Sequence, residues 1–195
     1  MMTMPSIMRV LLAGVGGQGT ILAADLLAKT AIASGLEVKL SEIHGMSQRG
    51  GSVTTVVNMG ESVNSMVISE GEADYLLAFE TTEALRNIHF LKPGGKIYVN
   101  DIQISPLPVL TGKALMPSNP QMRLEQYGAH LIPAQDLALQ AGSAKSANVV
   151  LLGALSTGLP FADDVWEEQI RLKVPPKTID ANLEAFRLGR SCVQP

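Results

Sequence analysis

The chain has 195 residues, of which 46% are hydrophobic and only 4% aromatic, and its formal net charge is −3. That length suits one α/β domain whose core of Leu, Val, Ile, Ala and Met closes without a metal or a disulfide. The mild acidity offers no attraction to nucleic acid or an anionic membrane, and no apolar run reaches the roughly 18 residues of a membrane span.

The first eight residues lack the basic flank and long apolar stretch of a secretion signal, so a cytoplasmic protein is expected. Met8–Ala13 is a short apolar run ending in glycines and reads as a buried parallel strand. Gln18–Ser34 follows with Ile21, Leu22, Ala24, Leu26, Leu27, Ala31 and Ile32 at helical spacing, and Gly35 supplies the stop. Glu37–Leu40 is a second strand, and Ser41–Gly51 a polar, glycine-bearing loop. Ser52–Met59 alternates like a strand. Gly60–Asn64 reads as a turn and Ser65–Ser69 as a returning partner, which puts an antiparallel edge on a mixed sheet. Asp74–Phe79 is a buried strand, and Thr81–Phe90 a helix capped by Thr81 or Thr82. Lys92–Gly95 is a tight turn leading into the strand Lys96–Asn100. The stretch Ile102–Asn119, with prolines at 106, 108 and 117, is a loop. It is followed by a strand at Ala129–Pro133 and a helix at Pro133–Ala141. Three helices close the chain at Ser146–Leu159, Phe161–Lys173 and Thr178–Leu188, broken at Pro160 and Pro175–Pro176.

Chemistry concentrates in two glycine-bearing segments. Gly14-Val15-Gly16-Gly17-Gln18-Gly19 is a G-x-G-x-x-G turn placed directly after a strand and at the mouth of a helix. Gly14 permits the turn, Gly16 allows a phosphate to approach the backbone, and Gly19 allows close helix packing. The helix N-terminus then favours an anion. The same glycines also serve a plain strand-to-helix turn. Together the elements give a Rossmann-like three-layer α/β sandwich with a mixed sheet and a helical C-terminal part, one domain over residues 1–195. A dinucleotide enzyme would place an acidic residue about 20 positions beyond the turn. Glu42, slightly late, is the one candidate.

The second segment is His44-Gly45-Met46-Ser47-Gln48-Arg49-Gly50-Gly51. It is expected at the carboxyl edge of the sheet, where open α/β sheets bind ligands. Arg49 suits a phosphate or carboxylate, Ser47 and Gln48 suit hydrogen bonding to a ligand or a neighbouring subunit, and His44 adds an imidazole, a group suited to proton exchange. Gly50 shapes the loop. As a cluster these residues point to a ligand or interface role. Glu80, at a strand's end, faces either the crevice or a helix start, and Glu83 suits the helix dipole. His89 and His130 read as surface or packing residues. Trp166 fits a subunit contact or half-buried core. Catalytic triads, metal-ligand spacings and thiamine-type motifs are not found, so no catalytic or metal residue is assigned. The single cysteine, Cys192, cannot supply the roughly four thiolates of an iron–sulfur cluster.

The pairing of GVGGQG with EIHGMSQRGGSV resembles the gamma-type subunit of 2-oxoacid:ferredoxin oxidoreductases. The HGMSQRGGSV form resembles in particular the beta subunits of indolepyruvate:ferredoxin oxidoreductases. The strand Asp74–Glu80, the helix segment Asn148–Ala154 and the closing Asn182–Phe186 extend the resemblance over about residues 8–189. It implies a non-catalytic small subunit of an enzyme that oxidatively decarboxylates a 2-oxoacid to an acyl-CoA and reduces ferredoxin. Thiamine diphosphate and iron–sulfur clusters would lie on a large partner subunit. Coenzyme A would be held in part here, with a phosphate at the glycine turn. Isolated copies would self-associate through the exposed docking face. Two other readings stay open: a stand-alone NAD(P)-binding oxidoreductase resting on the glycine turn and Glu42, and a purely structural interaction module.

Overall fold

A computed structural model describes residues 7–45 and 50–193 of the chain. Residues 46–49, and with them the candidates Ser47, Gln48 and Arg49, lie outside the described residues. Six strands form one sheet in the order β2-β3-β1-β4-β5-β6. They are β1 (Ile7–Val15), β2 (Glu37–His44), β3 (Ser52–Gly60), β4 (Ala73–Ala78), β5 (Leu91–Asn100) and β6 (His130–Ile132). The strands β1, β4, β5 and β6 are parallel, while β3 runs antiparallel to both β1 and β2.

The alternation of side chains along the strands divides the core in two. Val10, Leu12, Val57, Met59, Leu77 and Tyr98 face one side, and pack there against α1 (Thr20–Ala33), α5 (Ala134–Gln140), α6 (Ala147–Ser156), α7 (Asp163–Lys173) and α8 (Ile179–Ser191). Leu11, Ala13, Val56, Leu76, Ala78, Ile97 and Val99 face the other side, under α2 (Thr81–Asn87) and α4 (Pro120–Glu125). A single-turn helix, α3 (Leu107–Leu110), rides on the proline-bearing excursion. The architecture is the three-layer α/β sandwich with a mixed sheet that the sequence predicts.

Several local expectations are corrected. The partner of β3 is not Ser65–Ser69 but β1 and β2, so the antiparallel strand lies inside the sheet rather than at its edge. Residues Ser65 and Val67 stay irregular, and their carbonyls accept from the Asn58 side chain at 2.9 and 3.3 Å. The strand β2 runs on to His44, because Ser41–His44 pairs with Val53–Val56; Glu42 and His44 are therefore strand residues, not loop residues. The sequence Lys92–Gly95 is a bulge within β5, where Ala73 pairs with Leu91 and Tyr75 with Lys96; Gly94, at φ 77°, makes the excursion possible. The short α4 has no counterpart in the sequence reading. Trp166 is fully buried against Phe161 and Phe186, which removes it as a surface anchor.

Close packing of α6 on α8 depends on reciprocal glycines. A Cβ on Gly153 would overlap the Phe186 carbonyl, and one on Gly189 the Val150 carbonyl. Gly189→Ala is expected to lower stability by about 1–3 kcal/mol through overpacking. Gly45→Ala, where a Cβ meets nothing within 4 Å, should change it by no more than about 0.5 kcal/mol. Urea denaturation of the two variants checks this, and equal midpoints would contradict the contact.

Candidate functional site at the carboxyl rim of the sheet

The register of β3 on β1 sets Val15 opposite Ser52 and Gly14 opposite Val53. The turn after β1 and the loop before β3 therefore meet. Gly16 donates its N–H to the Gly51 carbonyl at 2.9 Å, and Gly50 donates to the Gly16 carbonyl at 3.4 Å. The two glycine-bearing segments singled out in the sequence are one backbone-bonded rim.

Each glycine of the turn has its own geometry. A Cβ on Gly14 would lie 2.9 Å from both Gln18 Oε1 and Thr20 Cγ2 and 3.0 Å from Phe79 Cβ, so its lack of a side chain admits the neighbouring strand. Gly17 and Gly19 have φ of 103° and 82°, a region that favours glycine. A Cβ on Gly19 would come within 2.6 Å of Asn148 Nδ2, and that amide donates to the Gly19 carbonyl at 3.3 Å. The third glycine thus admits α6 as well as seating α1. Gln18 is tied into the fold: its Oε1 accepts from Val15 N–H at 2.6 Å and its Nε2 donates to the Phe79 carbonyl at 3.0 Å.

A cleft of 540 Å³ opens between the start of α1 and the hairpin of β2 and β3. Gly16, Gly17 and Gly19 line it together with Glu42 and His44, so five of the sequence candidates converge. Thr20, Ile21 and Val53 complete the wall and were not singled out in the sequence. Thr20 and Ile21, in the first helical turn, have N–H groups without intrahelical acceptors, which favours an anion there. His44 Nδ1 lies 3.0 Å from the Gly45 carbonyl, an acceptor. Because β3 stands between β1 and β2, Glu42 sits about 10 Å from β1 rather than the about 5 Å of an adjacent strand. That placement departs from the dinucleotide fingerprint and weighs against the NAD(P) reading.

A second cleft of 430 Å³ lies on the other side of the glycine turn. Gly17, Gln18 and Gly19 line it with Phe79, Asn100, Gln135, Lys145 and Asn148. Asn100 closes a strand at the sheet's carboxyl edge, the position from which ligand groups come in open α/β sheets, and that signal was available in the sequence.

Glu80 does not face either cleft. Its carboxylate caps α2, accepting from the Thr82 N–H at 2.9 Å and from the Glu83 N–H, so the cap is neither Thr81 nor Thr82. Glu83 accepts from Ser52 Oγ at 2.5 Å and from Arg86 Nε at 3.0 Å, which ties the foot of the β2–β3 loop to α2. His130 stacks on Tyr98 with ring centroids 5.3 Å apart, a packing role.

The sequence pattern of the pyruvate ferredoxin/flavodoxin oxidoreductase family matches residues 9–192. The chain belongs to this family of oxidoreductase subunits. It is 44% identical over 187 residues to the indolepyruvate oxidoreductase subunit IorB of Thermococcus kodakarensis, covering 92% of this chain and 93% of that one. It is 42% identical, with the same coverage, to the IorB subunit of Pyrococcus horikoshii. Among solved structures it is similar to the gamma subunit of a keto/oxoacid ferredoxin oxidoreductase from Geobacter sulfurreducens PCA, with a TM-score of 0.71 and 26% identity over 95% of this chain and 98% of that one. Among the described residues no helix is long and apolar enough to cross a membrane.

Burial raises the Glu80 carboxyl above the ordinary carboxylate range; N–H bonds from Thr82, Glu83 and Ile104 pull it down without reversing the shift, and the nearby Glu83 adds to the rise. The folded chain therefore holds this proton more tightly than the unfolded chain. The stabilisation is complete below the ordinary value of 4.5 and is lost as pH rises through the folded pKa. Urea midpoints measured from pH 4 upward should fall more steeply for the native chain than for Glu80→Gln, which keeps one capping oxygen. Parallel pH profiles would refute the assignment.

Proposed function

We propose that this chain is the small, non-catalytic subunit of an indolepyruvate-type, arylpyruvate-oxidising 2-oxoacid:ferredoxin oxidoreductase working in the cytoplasm. In the assembled enzyme a 2-oxoacid loses carbon dioxide, its acyl group passes to coenzyme A, and two electrons pass to ferredoxin. Thiamine diphosphate and the iron–sulfur clusters belong to the large partner subunit. The one cysteine of this chain, Cys192, falls short of the about four thiolates an iron–sulfur cluster takes.

What carries the reading is the joined rim, Gly16 bonded to Gly51 and Gly50, in a chain so similar over nearly its full length to indolepyruvate oxidoreductase subunits. Gly17, Gly19, Thr20 and Ile21 present backbone to a cleft with Glu42 and His44 on the far wall. That arrangement suits the binding of an anion, and a phosphate of coenzyme A is the anion the reaction brings. Gly50 lies beside the turn, and Ser47, Gln48 and Arg49 are proposed with it as contacts to the partner or the cofactor. A structural module alone would need neither the cleft nor the open helix terminus.

Co-expression with a large thiamine- and cluster-bearing chain is expected to give a stable heteromer that elutes as one species. A chain that stays apart from that partner would overturn the subunit assignment. Gly17 has open space where a Cβ would sit, so Gly17→Asp places a carboxylate over the anion site at a cost of about 1–3 kcal/mol of backbone strain. In the heteromer this variant should raise the KM for coenzyme A at least tenfold with elution unchanged. An unaltered KM would remove coenzyme A from the glycine turn.

A further inference from the structure

The second cleft lies where the chain leaves β1 toward β2 on one side and β4 toward β5 on the other, the switch point at which open α/β sheets take ligands. Its hydrogen bonds define what can enter. The Phe79 carbonyl accepts from Gln18 Nε2 at 3.0 Å and from Asn100 Nδ2 at 3.1 Å, which uses both of its lone pairs. Those bonds fix the amide of Asn100, since a flip would set oxygen against oxygen. The atom left over is Asn100 Oδ1. Asn100 is 2% exposed, and this oxygen has no partner among the described residues. Gln135 Oε1 is likewise buried and without a partner among them, and it lines the same cleft. Lys145 stands exposed at its wall, and Gly17, Gln18 and Gly19, the residues that lead into α1, line it too.

We propose that this crevice is a second ligand-binding arm that takes the hydrogen-bond-donating part of an anionic ligand. Amide N–H or hydroxyl groups would bond Asn100 Oδ1 and Gln135 Oε1, while the charge sits at the first turn of α1 within reach of Lys145. Two buried amide oxygens without a carboxylate select a neutral donor. A cation finds no counter-charge there, and a group that only accepts meets oxygen lone pairs. Gly17 and Gly19 line both clefts, so one ligand crosses the glycine ridge. The inference rests on the glycine turn being the anion site.

Side-chain and backbone N–H spectra of the full-length, ¹⁵N-labelled chain test the two parts separately. Pantetheine, uncharged and bearing amide and hydroxyl donors, is expected to shift the side-chain NH₂ signals of Asn100 and Gln135. Sulfate, charged and without donors, should shift the backbone signals of Gly17, Gly19 and Thr20 only. 4′-Phosphopantetheine should bind at least tenfold tighter than pantetheine, and Gln135→Leu should weaken it at least fivefold while leaving the sulfate titration unchanged. If pantetheine leaves Asn100 and Gln135 unmoved, the crevice is no ligand arm, whatever sulfate does. If sulfate moves none of the ridge signals, the anion reading fails, and the crossing of the ridge fails with it.

Discussion

The carboxyl rim of the sheet depends on where β3 sits. In a doubly wound sheet β2 lies beside β1, and the loop after β2 leads away. Here the chain turns back after His44 and inserts β3 antiparallel between them. β3 is buried on both faces, and a one-residue slip would exchange the two sets, sending the polar Asn58 toward the face that Val57 and Met59 fill, so packing on both sides holds the register. That register brings Gly50 and Gly51 within hydrogen-bond distance of Gly16. The glycine turn is then braced from the hairpin side by backbone and from the helical side by Asn148. Core packing several residues down the strands thus decides the geometry of the rim.

The rim is also unusually dependent on side-chain amides. Gln18 and Asn100 both donate to the Phe79 carbonyl beyond the end of β4, and Asn148 adds a second bond to the Gly19 carbonyl, which also accepts from the Ala23 N–H of α1. Buried, oriented amides of this kind set one arrangement of the three strand ends. The cost is visible at Asn100 Oδ1 and Gln135 Oε1, each an unmet acceptor worth about 1–3 kcal/mol of lost solvation. Sites that bind often carry such costs until a ligand arrives.

Much of this was legible in the sequence because it rests on local rules. The run Met8–Ala13 followed by spaced glycines and a helical period marked β1, the turn and α1. The carboxyl-edge placement of Glu42 and His44 followed from the strand before them. What escaped was non-local. Nothing in Ser52–Met59 says whether its partner is the segment after it or the two strands before it, since valine and threonine suit any antiparallel neighbour. The end of β2 was set too early because Ser41, Glu42 and His44 are polar, and only pairing with β3 keeps them extended. The cap of α2 reads as Thr81 or Thr82 for a similar reason: threonines are good caps by propensity, but the backbone at Glu80 is the one that turns out of β4. Asn100, Gln135 and Asn148 come from three distant segments, and no spacing rule joins them.

The described lining of the two clefts follows from the same construction. Among the described residues the clefts present backbone N–H groups, amides, a threonine, one histidine, one glutamate and one lysine, a set able to hold and orient a ligand. Holding is also what a chain with a single cysteine can contribute to an oxidoreductase. Its value to the assembled enzyme then lies in rigidity: the turn is locked by β3, by Gln18 and by α6, and α6 is in turn locked to α8 through paired glycines. A ligand seated on such a ridge loses its freedom to a framework already fixed, so little of its binding energy is spent on ordering protein and more remains for presenting its reactive end to a partner's active site.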